Sequence, residues 1–279
     1  KVIHLHRDIS ETISFLEKET DRPKYLDEIS VVWERRAKWY KECSNYHWYS
    51  NHCDGAEDYG RLRSAFTNYL QVICGMKQIN IPSTKSFFVC LTLGDLKKHT
   101  NLIKPAIMGS DAVELRVDLL DKWDNEYVCQ QLAILKEYNN NIPIVFTIRT
   151  KSQGGKFPDD NYSAIKDLIF SAIRLGVEYI DLELSLPADV KFEILAKKKF
   201  FTKIIGSNHD FSGNIKWDSD QWEANYSLAT SLDVDVIKFV GTATSFGDNV
   251  ALENFRLKHA SGKPLILMNM SELGKFSRV

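Results

Sequence analysis

From residue 87 onward, short apolar runs at 87–93, 112–117, 143–149, 178–184, 202–207, 235–240 and 264–269 alternate with helical stretches near 95–108, 124–139, 160–175, 188–198, 218–232 and 247–259. Strands separated by crossover helices at a spacing of about 25–35 residues pair in parallel, so the segment reads as α/β. A parallel sheet covered by helices on both faces should be almost continuously apolar. These runs are not. In AVELRVD, Val113, Leu115 and Val117 share one face while Glu114 and Arg116 take the other; in IVFTIR, Ile144, Phe146 and Ile148 oppose Thr147 and Arg149. In YIDLELS, Ile180, Leu182 and Leu184 oppose Asp181 and Glu183, and in VIKFV, Ile237 and Phe239 oppose Lys238. The strand period of two puts each charge on the face turned away from the helices, which in a closed sheet is the interior. The expectation is a (β/α)8 TIM barrel over 83–279, its last βα unit absent from this chain.

Ions buried without partners cost several kcal/mol each in practice, so this layout requires that they meet one another, water or a ligand. Glu114, Asp181 and Glu183 offset Arg116, Arg149 and Lys238 one for one, toward the C-terminal strand ends where barrel active sites lie. His209 follows in SNHDF, directly after the fifth strand, and Met268, Met270 and Arg278 surround the seventh in MNMSELGKFSR. Arg278 leaves one excess positive charge, which points to an anionic substrate such as a carboxylate. Flanking apolar residues and nearby arginines would disfavour the Lys238 ammonium. A neutral lysine can attack a ketone to form an imine, with His209 as the base that removes the adjacent proton. The segment holds no His/Cys ligand cluster, so no metal is expected there.

These motifs carry a resemblance. ELRVD, FTIRTKSQGGKF, IDLEL, SNHDF, the lysine of VIKFVG and MNMSELGKFSR stand in the order and spacing of the type I 3-dehydroquinate dehydratases, over 87–279. The resemblance implies dehydration of 3-dehydroquinate to 3-dehydroshikimate by an imine route, without a cofactor. It implies Lys238 as the imine-forming residue and His209 as general acid and base. Glu114, Arg116 and Arg149 would hold substrate hydroxyls, Arg278 its carboxylate, and Met268 and Met270 would line the wall. Gln153 stands where many bacterial members carry a glutamate that orients the histidine. Ligand-sensing homologues without activity and aldolase-type Schiff-base lyases are the rival readings.

Residues 1–82 read differently: one strand at 2–5, a helix opened by Asp8, and helical stretches at 26–43 and 59–72. They resemble the C-terminal part of a shikimate kinase, a mostly helical piece of a P-loop α/β domain. DRP would be its lid, with Arg22, and RRAKWY its shikimate-binding helix, with Arg36. An intact kinase would use ATP and Mg, but the sequence contains no GxxxxGK[ST] loop to cradle phosphates. The tandem order is similar to that of fungal multifunctional arom polypeptides, which implies neighbouring domains. IPSTKS, 81–86, is the expected linker.

The 36 basic and 37 acidic residues leave a net charge of −1, which excludes the electrostatic footprint of a nucleic-acid or acidic-membrane partner. Five cysteines at 43, 53, 74, 90 and 129 show no framework spacing, which points to a reducing, cytoplasmic setting. Cys43, His47, His52 and Cys53 match no structural zinc spacing, and the SQGG glycines suit a mobile loop beside the pocket. A homodimer is expected.

Overall fold

The computed structural model describes residues 1–21, 25–51, 55–77, 86–139 and 141–278. Arg22, most of the expected linker, and His52 and Cys53 lie outside them.

The N-terminal part runs β1 (Ile3–His6), α1 (Ile9–Lys18), α2 (Ile29–Cys43), β2 (Tyr46–Tyr49) and α3 (Ala56–Ile73). Asp8 caps α1 as expected, its side chain accepting from the Glu11 amide at 3.0 Å. The expectation of a single strand is corrected, because β2 pairs in parallel with β1, with His4 beside His47. The alternation in NYHWYS is the signal: Tyr46 and Trp48 turn onto Ala65, Tyr69 and Ile73 of α3, while His47 and Tyr49 turn the other way. The module leans on the barrel helices, where the Tyr69 hydroxyl donates to the Arg174 carbonyl at 3.1 Å and the Tyr49 hydroxyl to Glu126 at 3.2 Å.

The second part contains β3 (Phe88–Leu91), α4 (Thr100–Ile107), β4 (Ala112–Arg116), α5 (Asn125–Tyr138), β5 (Ile144–Thr147), α6 (Tyr162–Arg174) and β6 (Tyr179–Glu183). It continues through α7 (Ala188–Lys197), β7 (Lys203–His209), α8 (Asp220–Ser231), β8 (Val236–Thr242), α9 (Gly247–Lys258) and β9 (Leu265–Met270). All seven of its strands are parallel and neighbours follow chain order, so β3 and β9 are the two edges. Side-chain contacts show that the sheet is strongly curled. At about 4.8 Å per strand, β4 and β8 would lie roughly 19 Å apart if the sheet were flat. Yet Lys238 on β8 reaches Glu114 on β4 with a 2.9 Å hydrogen bond. Curling turns one face into an interior, as expected of a TIM-like barrel.

Each strand is apolar toward the helices. Val113, Leu115, Phe146, Ile180, Leu182, Ile237 and Phe239 are each 1% exposed or less and form one core with α5, α6 and α8. Each fully buried side chain of this size contributes about 1.5–3 kcal/mol. A second cluster, Ala112, Val145, Tyr179 and Ile205 with Val236, fills the interior at the N-terminal strand ends. That apolar floor closes the bottom of the hollow in which the charged residues meet.

Candidate active site

One step above the floor, the inward positions become ionic. Lys238 donates to Glu114 at 2.9 Å and to Asp181 at 3.1 Å. Asp181, 3% exposed, also accepts from Arg149 at 2.9 Å and from the Ser207 hydroxyl at 2.5 Å. The other end of the Arg149 guanidinium donates to Glu183 at 2.8 Å and to Ser207 at 3.1 Å. Glu183, 1% exposed, takes two further bonds from the Thr150 amide and hydroxyl. Glu114 accepts from Thr147 at 2.7 Å. No charge here stands alone, which is the condition for burying so many.

The register builds this. Thr147 pairs with Asp181, while Glu183 pairs with Ser207 and Ser207 with Lys238, so inward residues of four strands lie on two neighbouring rungs that the Arg149 and Lys238 hydrogen bonds join. His209 lies beside Val240, two residues nearer the rim than Lys238 on the adjacent strand. The register of Lys238 with Ile266 puts Met268 and Met270 on the inward face of β9, both partly buried.

Three expectations are corrected. The first is the state of Lys238. Burial pushes its ammonium toward the neutral amine, but Glu114 and Asp181 together outweigh burial and hold its pKa above the ordinary lysine value. Both carboxyls are held below theirs against the same burial, Glu114 by Lys238 and Asp181 by Arg149 and Lys238. Second, the one-for-one pairing omits a partner. Arg116 is bound by Asp118, at 2.8 and 2.9 Å, and Asp118 also takes the Lys156 amide at 3.1 Å. The aspartate is two residues away in ELRVD, where its strand-end position gave no sign that it turns back. Third, the Gln153 side chain accepts from the backbone amide of His209 at 2.7 Å, so it fixes the strand end that carries the ring. The ring's Nδ1 is buried without a hydrogen-bond partner among the described residues. Burial first, then Arg149, depresses the His209 pKa well below its ordinary value, so the imidazole is neutral at pH 7.

The SQGG glycines answer to close contact. Gly154 sits at φ +81° against the Phe211 ring, and a Cβ on Gly155 would stand 2.1 Å from the Arg149 carbonyl oxygen. The loop thereby folds tightly over Arg149, with Phe157 donating back to the Arg149 carbonyl at 3.1 Å. Phe211 in turn stacks on His209, ring centroids 5.9 Å apart.

Arg278 follows β9 and is exposed; its guanidinium donates to the Ser271 carbonyl at 3.4 Å and joins none of the interior ion pairs among the described residues. Its segment is anchored instead by Asn269, whose amide donates to the Ser277 hydroxyl at 2.8 Å. Asn269 is itself held by Trp217 at 2.7 Å. In the N-terminal part, Arg36 on α2 lies over the Tyr25 ring at 5.2 Å.

The family model for type I 3-dehydroquinase matches residues 87–279, and that for shikimate kinase matches 1–73. The pentafunctional AROM polypeptide of Zygosaccharomyces rouxii is 52% identical over 278 residues, and that of Kluyveromyces lactis 50%. All of this chain is covered in both cases, but it spans only 17% and 18% of those relatives' lengths. Among solved structures, the dehydroquinate dehydratase and shikimate dehydrogenase portion of S. pombe AroM is similar with a TM-score of 0.67 at 36% identity, covering 70% of this chain and 38% of that one. A type I 3-dehydroquinate dehydratase from Clostridium difficile, carrying a covalently modified comenic acid, gives 0.64 at 25% identity, covering 69% and 78%.

Proposed function

This chain belongs, through residues 87–279, to the type I 3-dehydroquinase family, and on that premise we propose that it dehydrates 3-dehydroquinate to 3-dehydroshikimate through a Lys238 imine. The observation that carries the reading is an enclosed lysine bracketed by two carboxylates, with a neutral histidine two residues rimward on the next strand.

Attack requires the free amine, and Glu114 is placed to receive the proton, since it already accepts from Lys238 at 2.9 Å. The amine then adds to the ketone carbon and water leaves, giving a protonated imine that draws electrons from the neighbouring carbon. His209 takes the proton released there and returns it to the departing hydroxyl, which leaves as a second water. Hydrolysis of the imine consumes one water and restores Lys238. Net, one water leaves the substrate and no cofactor is required.

Arg116, tied to Asp118, and Arg149, tied to two carboxylates, would present their remaining N–H groups to substrate hydroxyls with Glu114. Arg278, paired with no carboxylate among the described residues, suits the substrate's carboxylate, and Met268 and Met270 the wall beside it. Residues 1–82 are assigned to a partial shikimate-kinase-like module, with Arg36 and Arg22 in the roles the resemblance implies, and ATP with Mg only in an intact kinase. We place the chain in the cytoplasm, as a homodimer, beside other domains of a longer polypeptide.

The test is reductive trapping. Borohydride added to the chain with 3-dehydroquinate should leave a mass adduct on the peptide containing Lys238, and the conjugated product should absorb in the ultraviolet. Binding of 3-dehydroquinate with neither adduct nor product would favour a ligand sensor instead.

A further inference from the structure

The face of β1 and β2 that turns away from Trp48 is lined with imidazoles. The strand period puts His4 and His6 side by side, and the register of His4 with His47 brings a third ring from the neighbouring strand. The ligand-capable nitrogens of the three all lie within 4.8 Å of one another. His6 Nε2 and His47 Nδ1 stand 2.8 Å apart, sharing a single proton. His4 Nδ1 is buried with no hydrogen-bond partner among the described residues, and its ring lies 3.8 Å from that of His6. Among the described residues only four other buried side-chain polar atoms, Arg61 Nε, His209 Nδ1, Ser219 Oγ and Trp222 Nε1, are left unbonded in this way, and leaving one unbonded is costly. Three converging imidazoles, one of them unsatisfied, are therefore not accounted for by folding alone.

We propose that His4, His6 and His47 hold one borderline divalent transition-metal cation, Zn²⁺ in the first instance, with water in the remaining position. Zinc bound to imidazole nitrogens at about 2.0–2.1 Å in tetrahedral geometry sets those nitrogens roughly 3.3 Å apart. That spacing falls between the closest pair and the widest, so small side-chain rotations suffice. The donor set selects the metal: imidazole suits zinc, copper and nickel, whereas calcium and magnesium want oxygen ligands, which this group does not offer. Binding displaces the proton between His6 and His47. His47 then ligates through Nδ1 and carries its proton on Nε2, which is 3.3 Å from the Ser44 hydroxyl oxygen that can accept it. Arg174, now donating to that Nε2 at 3.3 Å, turns away to solvent. The cation would clip together a two-stranded sheet that is marginal by itself.

The sequence places Cys43, His52 and Cys53 near His47, the last two outside the described residues, and the fold brings His4 and His6 to it across the sheet. No step at Lys238 involves these rings, so the test is independent of the dehydratase reading. The full chain, freed of metal by a chelator, is titrated with Zn²⁺ by calorimetry while thermal unfolding is followed. One equivalent should bind with a low-micromolar or tighter Kd and raise the unfolding temperature. His6→Ala and His47→Ala should each weaken binding by about 100-fold or more and abolish the thermal shift. Failure of the unaltered chain to bind, or unchanged binding in both variants, overturns the proposal. Should an alanine variant not fold, the Co²⁺ spectrum of the unaltered chain decides. Intense visible bands without sulfur-to-cobalt charge transfer support the three-histidine site, and thiolate charge-transfer bands place the ion on cysteines and overturn it.

Discussion

Two adjacent levels of the barrel interior are built by the same strands and could hardly differ more. The lower level is built from the aliphatic side chains of Ala112, Val145, Ile205 and Val236 and the Tyr179 ring. The upper level, two residues along each strand, holds Glu114, Thr147, Asp181, Ser207 and Lys238, bridged by Arg149. The lower level stabilises by area and shape. The upper one stabilises little in net terms, since desolvation consumes most of what pairing returns, but each member is costly to remove alone. The floor makes the ionic level useful: it excludes water from below, so that charges facing the mouth act in a medium of low dielectric.

Exchanging Lys238 for Ala should separate the levels most sharply. Turnover of 3-dehydroquinate should fall by at least about 10³-fold, with the circular dichroism spectrum unchanged; retained turnover would show that the upper level is structural. Asp181→Asn should come next. It leaves Arg149 and Lys238 short of a counter-charge and should cost about 3–5 kcal/mol in a urea titration. A loss as small as that of a floor substitution would mean that Glu183 and Glu114 already suffice.

Acid unfolding provides a third contrast, because only the upper level titrates. Asp181 and Glu114 have depressed pKa values in the fold, so below about pH 4–5 the unfolded chain binds protons that the folded one refuses. The stability they contribute is complete above that range and drains as pH falls. Glu183, whose pKa burial raises against Arg149, works in the opposite sense and softens the slope. In Asp181→Asn, stability should decline less steeply between about pH 4 and 2 than in the unaltered chain; equal slopes would remove Asp181 from the account. The smallest effect belongs to the floor. Ile205→Val should cost about 0.5–1.5 kcal/mol and leave kcat and the acid slope untouched, and a changed kcat would mean that the levels are mechanically coupled.

Much of this contrast was legible in the chain. The alternation of Leu115 with Glu114 and Arg116, or of Leu182 with Asp181 and Glu183, tells which face is inward, and the Asp8 cap and the seven parallel strands follow the same local rules. What the pattern could not convey was pairing. Arg116 has carboxylates nearby on several strands, and its choice of Asp118 depends on how the chain turns after β4. The protonation of Lys238 was misread for the same reason: flanking residues report burial, whereas the opposing charges come from Glu114, 124 residues away.

The sequence alone determined the strand and helix periods, the sidedness of each strand and the inventory of ionisable groups, because these depend on neighbours within a few residues. Only the curled sheet decided which groups meet, at what distance and in which charge state. Electrostatic energy depends on separation through space and on exclusion of water, and both are set by strand register and closure.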